Sequence, residues 1–417
     1  MDVMHARCCG LDVHKATVVA CVLTGEAGGR VRKEVRTFGT MTGDLRQLAT
    51  WLAEEQVTHV GMESTGVYWK PVYTMLEGQF ELVVANAQHV KAIPGKKTDR
   101  KDAEWLADLL RHGLMPRSFI PPTAQQQVRE LTRYRMSLTQ EHAAEANRLQ
   151  KVLEGANIKL ASVASDILGV SCRAMLQAMI AGEEDPAVLA GLAKGRMEKK
   201  RAELVRALEG RLQAHHRFLL AEQLRHLEAL EAGIERVGQE IEERLRPFEA
   251  QMALADSIPG IAQDTAQVLA AEVGVDMSRF PSGDHLASWA GMCPGNNESA
   301  GRRHSGKTRK GSPWLRSALV QAAWGAAHTK DTYLAAEYAR LVGRRGKKRA
   351  LVAVGHSILL MYHAVLSQKQ PYHELGGNYF DERAKEATRN RLVHRLQKLG
   401  FIVTLELPVP TPLPAAA

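Results

Sequence analysis

Four acidic residues stand where they could converge on a metal ion, and the first of them is costly to leave unpaired in its strand. Asp12 lies in GLDVHK, at the start of an apolar, small-residue strand pattern. Glu63 follows the apolar-rich THVGM and precedes STG. Asp99 and Asp102 are three apart at a helix start, so both can face the same way. A buried charge needs a partner or a metal. Cleavage of a phosphodiester asks for such a set, because two divalent cations about 3.5–4 Å apart can clamp the attacking and leaving oxygens. Magnesium, or manganese in its place, is a hard ion that takes carboxylate oxygens and water. Acids in a first helical turn are also favoured by the helix dipole, so neither Asp99 nor Asp102 is diagnostic alone. Taken together the four point to a metal site. Lys96, Lys97, Arg100 and Lys101 surround the Asp pair, as a polyanionic substrate would require.

The elements that must position these acids are legible around them. CCGLDVHKATVVACVLT (residues 8–24) reads as β-strand entering and leaving a turn. Gly43 to Glu55 has helical spacing through Leu45, Leu48 and Leu52. THVGMEST predicts a short buried strand ending near Glu63, YWKPVYTMLEGQ a helix with a Gly stop, and FELVVAN another strand. Strands alternating with helices imply an α/β domain with a partly parallel sheet. Pro94 and Gly95 mark a loop, Thr98 is an N-cap candidate, and a helix follows from Asp99 to about Arg111 with Gly113 at C′.

Two long apolar stripes come next. Val128, Leu131, Leu138, Leu149 and Val152 form one over residues 124–154, interrupted by Arg135, His142 and Glu145. Leu220, Leu224, Leu227, Ile234, Ile241, Leu245 and Phe248 form a cleaner one over 215–248, interrupted by Glu231 and Gly238. They read as a coiled coil or helical hairpin, with ordinary amphipathic packing as the plainer alternative. Residues 160–200 read as short helices with GEEDP as a turn, and Pro247 ends the second long helix. DSIPGIAQDTAQVLAAEVG resembles one half of a helix-hairpin-helix, whose turn can offer N–H groups to a phosphate. The Pro-rich end LPVPTPLPAAA predicts disorder.

Net charge is +9, and its distribution says more than its size. Residues 300–350 hold thirteen Lys and Arg against Asp331 and Glu337, so this one segment contains the whole excess. A surplus so concentrated is the footprint expected for a nucleic-acid partner. The five cysteines are scattered with no CxxC pair, which argues against a zinc site or disulfide framework. The opening MDVMHARCCGLDVHK lacks the apolar core of a signal peptide, and no uninterrupted apolar stretch reaches the roughly 18 residues of a membrane span. A cytoplasmic, nucleoid-associated protein with no membrane partner is the expectation.

GLDVHK, ESTGVYW, KKTDRKDAEWLADLL, SIPGI and CPGNNESAGRRHSGKTRKGSPWLRSAL occur in that order. Together, from about residue 8 to 370, they resemble the DEDD-type transposases of the insertion-sequence-one-ten family, which include bridge-RNA-guided recombinases. The resemblance implies an α/β RNase H-like (RuvC-like) domain over 1–123. A helical coiled-coil region with inserted short helices follows over 124–250. A mainly α transposase domain with the Pro-Gly element and a nucleophilic serine takes 251–370, and a C-terminal extension 371–417. It implies that Asp12, Glu63, Asp99 and Asp102 are the catalytic metal ligands, with Mg²⁺ or Mn²⁺. The family serine falls on Ser299 in NNESAGRR, with Ser305 in RRHSGK as the rival assignment. Gly295, Ala300 and Gly301 would admit a phosphate close to backbone. Arg302 and Arg303 could hold its oxygens, and Lys307, Arg309, Lys310 and Arg316 extend the basic surface beside them. The implied partners are donor and target DNA, a structured bridge RNA, and further copies of the chain as a dimer or tetramer. A composite site would bring the serine to the acids, from a neighbouring subunit if assembly requires it. Two other readings stand beside this one: a RuvC-like nuclease or resolvase in which water attacks, and a non-enzymatic nucleic-acid scaffold. Residues 155–215 make the middle longer than the shortest family members.

Overall fold

The computed structural model describes residues 2–405 apart from 27, 65, 87–101, 296 and 300–301, with backbone alone for 297–299 and 302–305. Lys96, Lys97, Thr98, Asp99, Arg100, Lys101 and the Pro-rich end therefore lie outside the described residues. The chain divides into two compact units, Met1–Pro121 and Pro122–Ala417.

The first unit is built on a five-stranded sheet in the order β3-β2-β1-β4-β5. The strands are β1 (Arg7–Val13), β2 (Thr17–Thr24), β3 (Arg32–Gly39), β4 (His59–Glu63) and β5 (Glu81–Ala85). β1 pairs antiparallel with β2, and β2 with β3, while β1, β4 and β5 run parallel. The helices are α1 (Thr42–Glu54), α2 (Trp69–Leu76) and α3 (Asp102–Arg111). Alternate side chains of a strand face opposite ways. Cys9, Leu11, Val13 and Val60 accordingly join a core with Leu45, Leu48 and Leu52 of α1 and Val72 and Leu76 of α2. Cys8, Cys21, Val83 and Ala85 face Ala103, Leu106, Ala107 and Leu110 of α3. This mixed order, with helices on both faces, is compatible with an RNase H-like domain. Burial pushes the thiols of Cys8 and Cys21 up to about 12.

One strand departs from the sequence reading. The hairpin over residues 8–24 and the strands ending at Glu63 and Ala85 are where the apolar runs place them. RKEVRTFG, by contrast, has no apolar alternation and yet forms β3. It is an edge strand, and charges on an edge oppose pairing with another chain. Arg32 and Arg36 clasp Glu34, and Arg36 lies 4.8 Å over the Trp51 ring.

The second unit opens with α4 (Thr123–Gly155), followed by α5 (Leu160–Val163), α6 (Val170–Ala181), α7 (Pro186–Gly191), α8 (Arg201–Leu208) and α9 (Ala214–Leu245). α4 and α9 pair antiparallel: Val128 shares a cluster with Ile241 and Leu245, while Leu149 and Leu153 share one with Leu220 and Leu227. The two stripes thus meet along one antiparallel pair of long helices. Its polar interruptions find partners. His142 lies 3.0 Å from Glu231, Glu145 accepts from Arg148 at 2.5 Å, and Arg135 donates to Gln267 at 2.6 Å. The short helices close the far end, with Asp185 capping α7 as the GEEDP turn suggests.

α10 (Glu249–Asp256), α11 (Gln263–Glu272), α12 (Gly283–Trp289), α13 (Pro313–Ala327), α14 (Tyr333–Arg345) and α15 (Lys347–Gln368) enclose a second core. Gly260, in the Pro-Gly turn, has φ +87°, and a Cβ there would lie 2.2 Å from the Ala322 carbonyl oxygen. That glycine serves close packing on α13. Among the described residues α15 alone is long and apolar enough to cross a membrane, yet Val354, Ile358, Leu359 and Tyr362 bury it at the centre of this core. α16 (Tyr379–Arg383) and α17 (Lys385–Lys398) follow.

Candidate active site

Strand register gathers three of the four predicted acids at one end of the first unit. Leu11 of β1 pairs in parallel with Met62 of β4, so Asp12 and Glu63 come next at the same level on neighbouring strands. Leu11 and Met62 enter the α1–α2 core, which turns Asp12 and Glu63 to the α3 face. Glu63 itself pairs with Ala85 of β5.

α3 brings Asp102 to the same end. Its last residue, Arg111, donates to the carbonyls of Ala6 and Gly25, beyond the start of β1. Ala107 lies over Cys8, whose thiol donates to its carbonyl at 3.5 Å. Ala103 lies over Gly10. The helix therefore runs antiparallel to β1, and its first residue, Asp102, is at the Asp12 end. The closeness depends on two glycines. Gly10 and Gly61 pair across β1 and β4. A Cβ on Gly10 would stand 2.3 Å from both the Ala103 oxygen and the Ala107 nitrogen, and one on Gly61 would stand 2.7 Å from the Met115 sulfur. These glycines form a trough in the sheet that seats α3. Sequence reading passed over them, although glycine inside a strand pattern is a signal of close backbone approach.

Asp12 is half-buried, and its Oδ2 lies 3.0 Å from His14 Nε2. Asp102 and Glu63 are half-buried as well. Among the described residues no group of three or more His, Cys, Asp and Glu closes on one point. Asp99 lies outside them. The donors present are all carboxylate oxygens, the chemistry a hard divalent cation takes, and the residues fit such an ion in kind.

The second unit holds the predicted serine. Around it, β6 (Asn297–Ser299) and β7 (Arg302–Ser305) pair antiparallel. Ser299 pairs with Arg302 at the hairpin end, Glu298 with Arg303, and the rival Ser305 with Asn297 beside a register shift. The hairpin is rooted firmly. Pro294 bridges to Thr308, and Gly295 N–H donates to the Lys307 carbonyl at 2.9 Å. Arg316 donates to the Gly291 and Arg309 carbonyls at 2.6 and 2.9 Å, so its guanidinium clamps this root. Lys307, Arg309 and Lys310 are exposed.

Behind the root stands a buried network that sequence reading missed. Ser312 caps α13 and donates to Glu272 Oε2 at 3.0 Å. Glu272, 2% exposed, accepts two bonds from Arg133 of α4, at 2.6 and 2.9 Å. The Gly-Ser-Pro run preceding α13 was the readable part of it, being an N-cap with proline at N1.

Known proteins match both regions. A DEDD transposase model of IS110 type matches residues 9–158, from β1 through α4. The model of the transposase IS116/IS110/IS902 family matches residues 252–339, from α10 into α14. This chain belongs to the IS110 family of transposases. The first IS110 match spans Asp12, Glu63, Asp99 and Asp102, and the second spans the Ser299 hairpin. The chain is also 30% identical over 124 residues to the pilin gene-inverting proteins of Moraxella bovis and Moraxella lacunata. That alignment covers 29% of this chain and 38% of each relative, so the chain spans under half the length of the curated relatives it matches. Between the two family matches lie residues 159–251, which comprise α5 to α9.

Proposed function

We propose that this IS110-family chain is the transposase of an insertion sequence, cutting DNA and rejoining it through a serine-linked intermediate. The observation that supports this most is the convergence of Asp12, Glu63 and the start of α3 at one end of one sheet face. Asp12, Glu63, Asp99 and Asp102 would hold Mg²⁺ or Mn²⁺, which when bound draws charge from a scissile phosphate and lowers the pKa of an attacking hydroxyl. His14 orients the Asp12 carboxylate through its 3.0 Å contact.

In this reading Ser299 supplies the nucleophile. Its Oγ forms a bond to phosphorus, the bond from phosphorus to the leaving strand breaks, and the serine proton departs to solvent or a neighbouring base. One phosphodiester replaces another, so the reverse attack by a new strand end rejoins DNA without ATP. Arg302 and Arg303, on the strand paired with Ser299, neutralise the phosphate. Lys307, Arg309 and Lys310 continue the contact along the backbone. Lys96, Lys97 and Arg100, next to Asp99 and Asp102 in sequence, would do the same.

A bridge RNA that pairs with donor and target DNA would supply sequence choice, leaving the protein to read backbone and shape. The proposal also includes an RNase H-like, RuvC-like first domain, a coiled-coil role for α4 and α9, and assembly as a dimer or tetramer. The gene inversion named for the Moraxella relatives is itself a rearrangement of DNA, which agrees with strand rejoining.

The test is incubation of the chain with element-end DNA, its flanking RNA and Mg²⁺, resolved on a denaturing gel. A protein–DNA adduct that needs Mg²⁺ and disappears in Asp12→Asn supports the proposal. Free nicks without adduct would mean that water attacks. No cleavage in any metal would reduce the chain to a nucleic-acid scaffold.

A further inference from the structure

Among the described residues, α17 touches little beyond α16. None of its residues is buried. Leu392, Leu396 and Leu399 follow one another at spacings of four and three, which places them on one face, and they are 51%, 42% and 67% exposed. A lone helix of this length is marginal in water, so such a face asks for a cover. Arg391 and Arg395 border the leucine stripe on one side and Arg389 on the other, and α17 holds five cations against Glu386.

The same chain presents a complementary groove. A cleft of about 500 Å³ lies along the end of α9, α10 and the start of α11. Leu245, Met252 and Ala266 give it an apolar floor. Glu242, Glu249 and Asp256 line its rim at intervals of seven residues, with Arg246 the one cation among the lining residues. Duplex or RNA phosphates would match the cations of α17 and leave its leucines in water; the cleft matches both.

We propose that α17 of one copy docks in the α9–α10–α11 cleft of a second copy. The leucines fill the floor and Arg391 and Arg395 meet the rim acids, in the helix-in-groove manner. Exchange in both directions gives a two-fold pair in which each chain donates one helix and accepts one.

Sedimentation of the full-length chain without nucleic acid tests this. Arg391→Glu with Arg395→Glu, and separately Glu249→Arg with Asp256→Arg, should each weaken self-association by about tenfold or more. Leu392→Ala with Leu396→Ala should do the same at unchanged charge. Mixing the helix-reversed chain with the cleft-reversed chain should restore association, because each helix then meets a cleft of opposite sign. A wild-type chain that stays monomeric, or association indifferent to every variant, would overturn the proposal. So would reversed chains that fail to pair when mixed. Arg391→Glu with Arg395→Glu losing only nucleic-acid affinity, with self-association intact, would assign α17 to the phosphate backbone instead.

Discussion

Asp12 and Gly10 sit two residues apart on β1 and matter for opposite reasons. Asp12 is the proposed metal ligand, a half-buried carboxylate held 3.0 Å from His14. Asp12→Asn keeps the shape and removes the charge. Strand cleavage should fall by roughly a thousandfold, the several kcal/mol a bound metal supplies, while the circular dichroism spectrum stays unchanged. Gly10 is space, with the α3 backbone 2.3 Å from where a Cβ would lie. Gly10→Ala must push the helix off the sheet, so urea unfolding should show a loss of about 1–3 kcal/mol or more. Cleavage at saturating DNA should fall further than that loss of folded protein explains, because Asp102 rides on the displaced helix. The sheet-end positions of Asp12 and Glu63 were legible in the sequence because each acid interrupts or ends an apolar strand pattern. The trough was not, because it depends on which helix residue arrives opposite each glycine, and that register is set only in the folded unit.

At the level of elements, the strongest tie is Glu272, which joins α11 to Arg133 of α4 and to the Ser312 cap of α13. Glu272 is buried while Arg133 reaches solvent, so Glu272→Ala loses three charge-assisted hydrogen bonds without stranding a fully buried charge and should lower stability by about 1–3 kcal/mol, read from the denaturant midpoint. The long stripes gave the lengths of α4 and α9 closely, since apolar spacing is local. Arg135 and His142 looked like flaws in the first stripe because their partners, Gln267 and Glu231, belong to other elements, while Glu145 pairs with Arg148 on its own helix. β3 escaped for a related reason. A solvated edge strand needs no apolar alternation, so Arg32 to Gly39 gives no strand signal. The hairpin of Ser299 was likewise hidden, because its small and basic residues have weak strand preference and its root depends on the distant Arg316 clamp.

For the molecule as a whole, the concentration of the charge excess between residues 300 and 350 makes a quantitative claim. If Lys307, Arg309 and Lys310 each contact a phosphate, replacing all three by Ala should flatten the plot of log affinity against log salt. Each lost contact should reduce the slope by about 0.9, and weakening should be similar for unrelated duplexes. A drop confined to one sequence would instead mean base reading. Assembly can be probed with inactive partners. Asp12→Asn and Ser299→Ala chains, each silent alone, should regain cleavage when mixed if one subunit lends its serine to another. Silence of the mixture would place all five residues in one chain. The claim on which everything else rests is the covalent step. It is read most directly by trapping the chain on element-end DNA with Mg²⁺ and RNA, digesting both polymers, and locating the nucleotide by peptide mass. The account predicts a phosphonucleotide on Ser299 and its loss in Asp12→Asn. A nucleotide on Ser305, or cleaved DNA with no modified peptide, would contradict it.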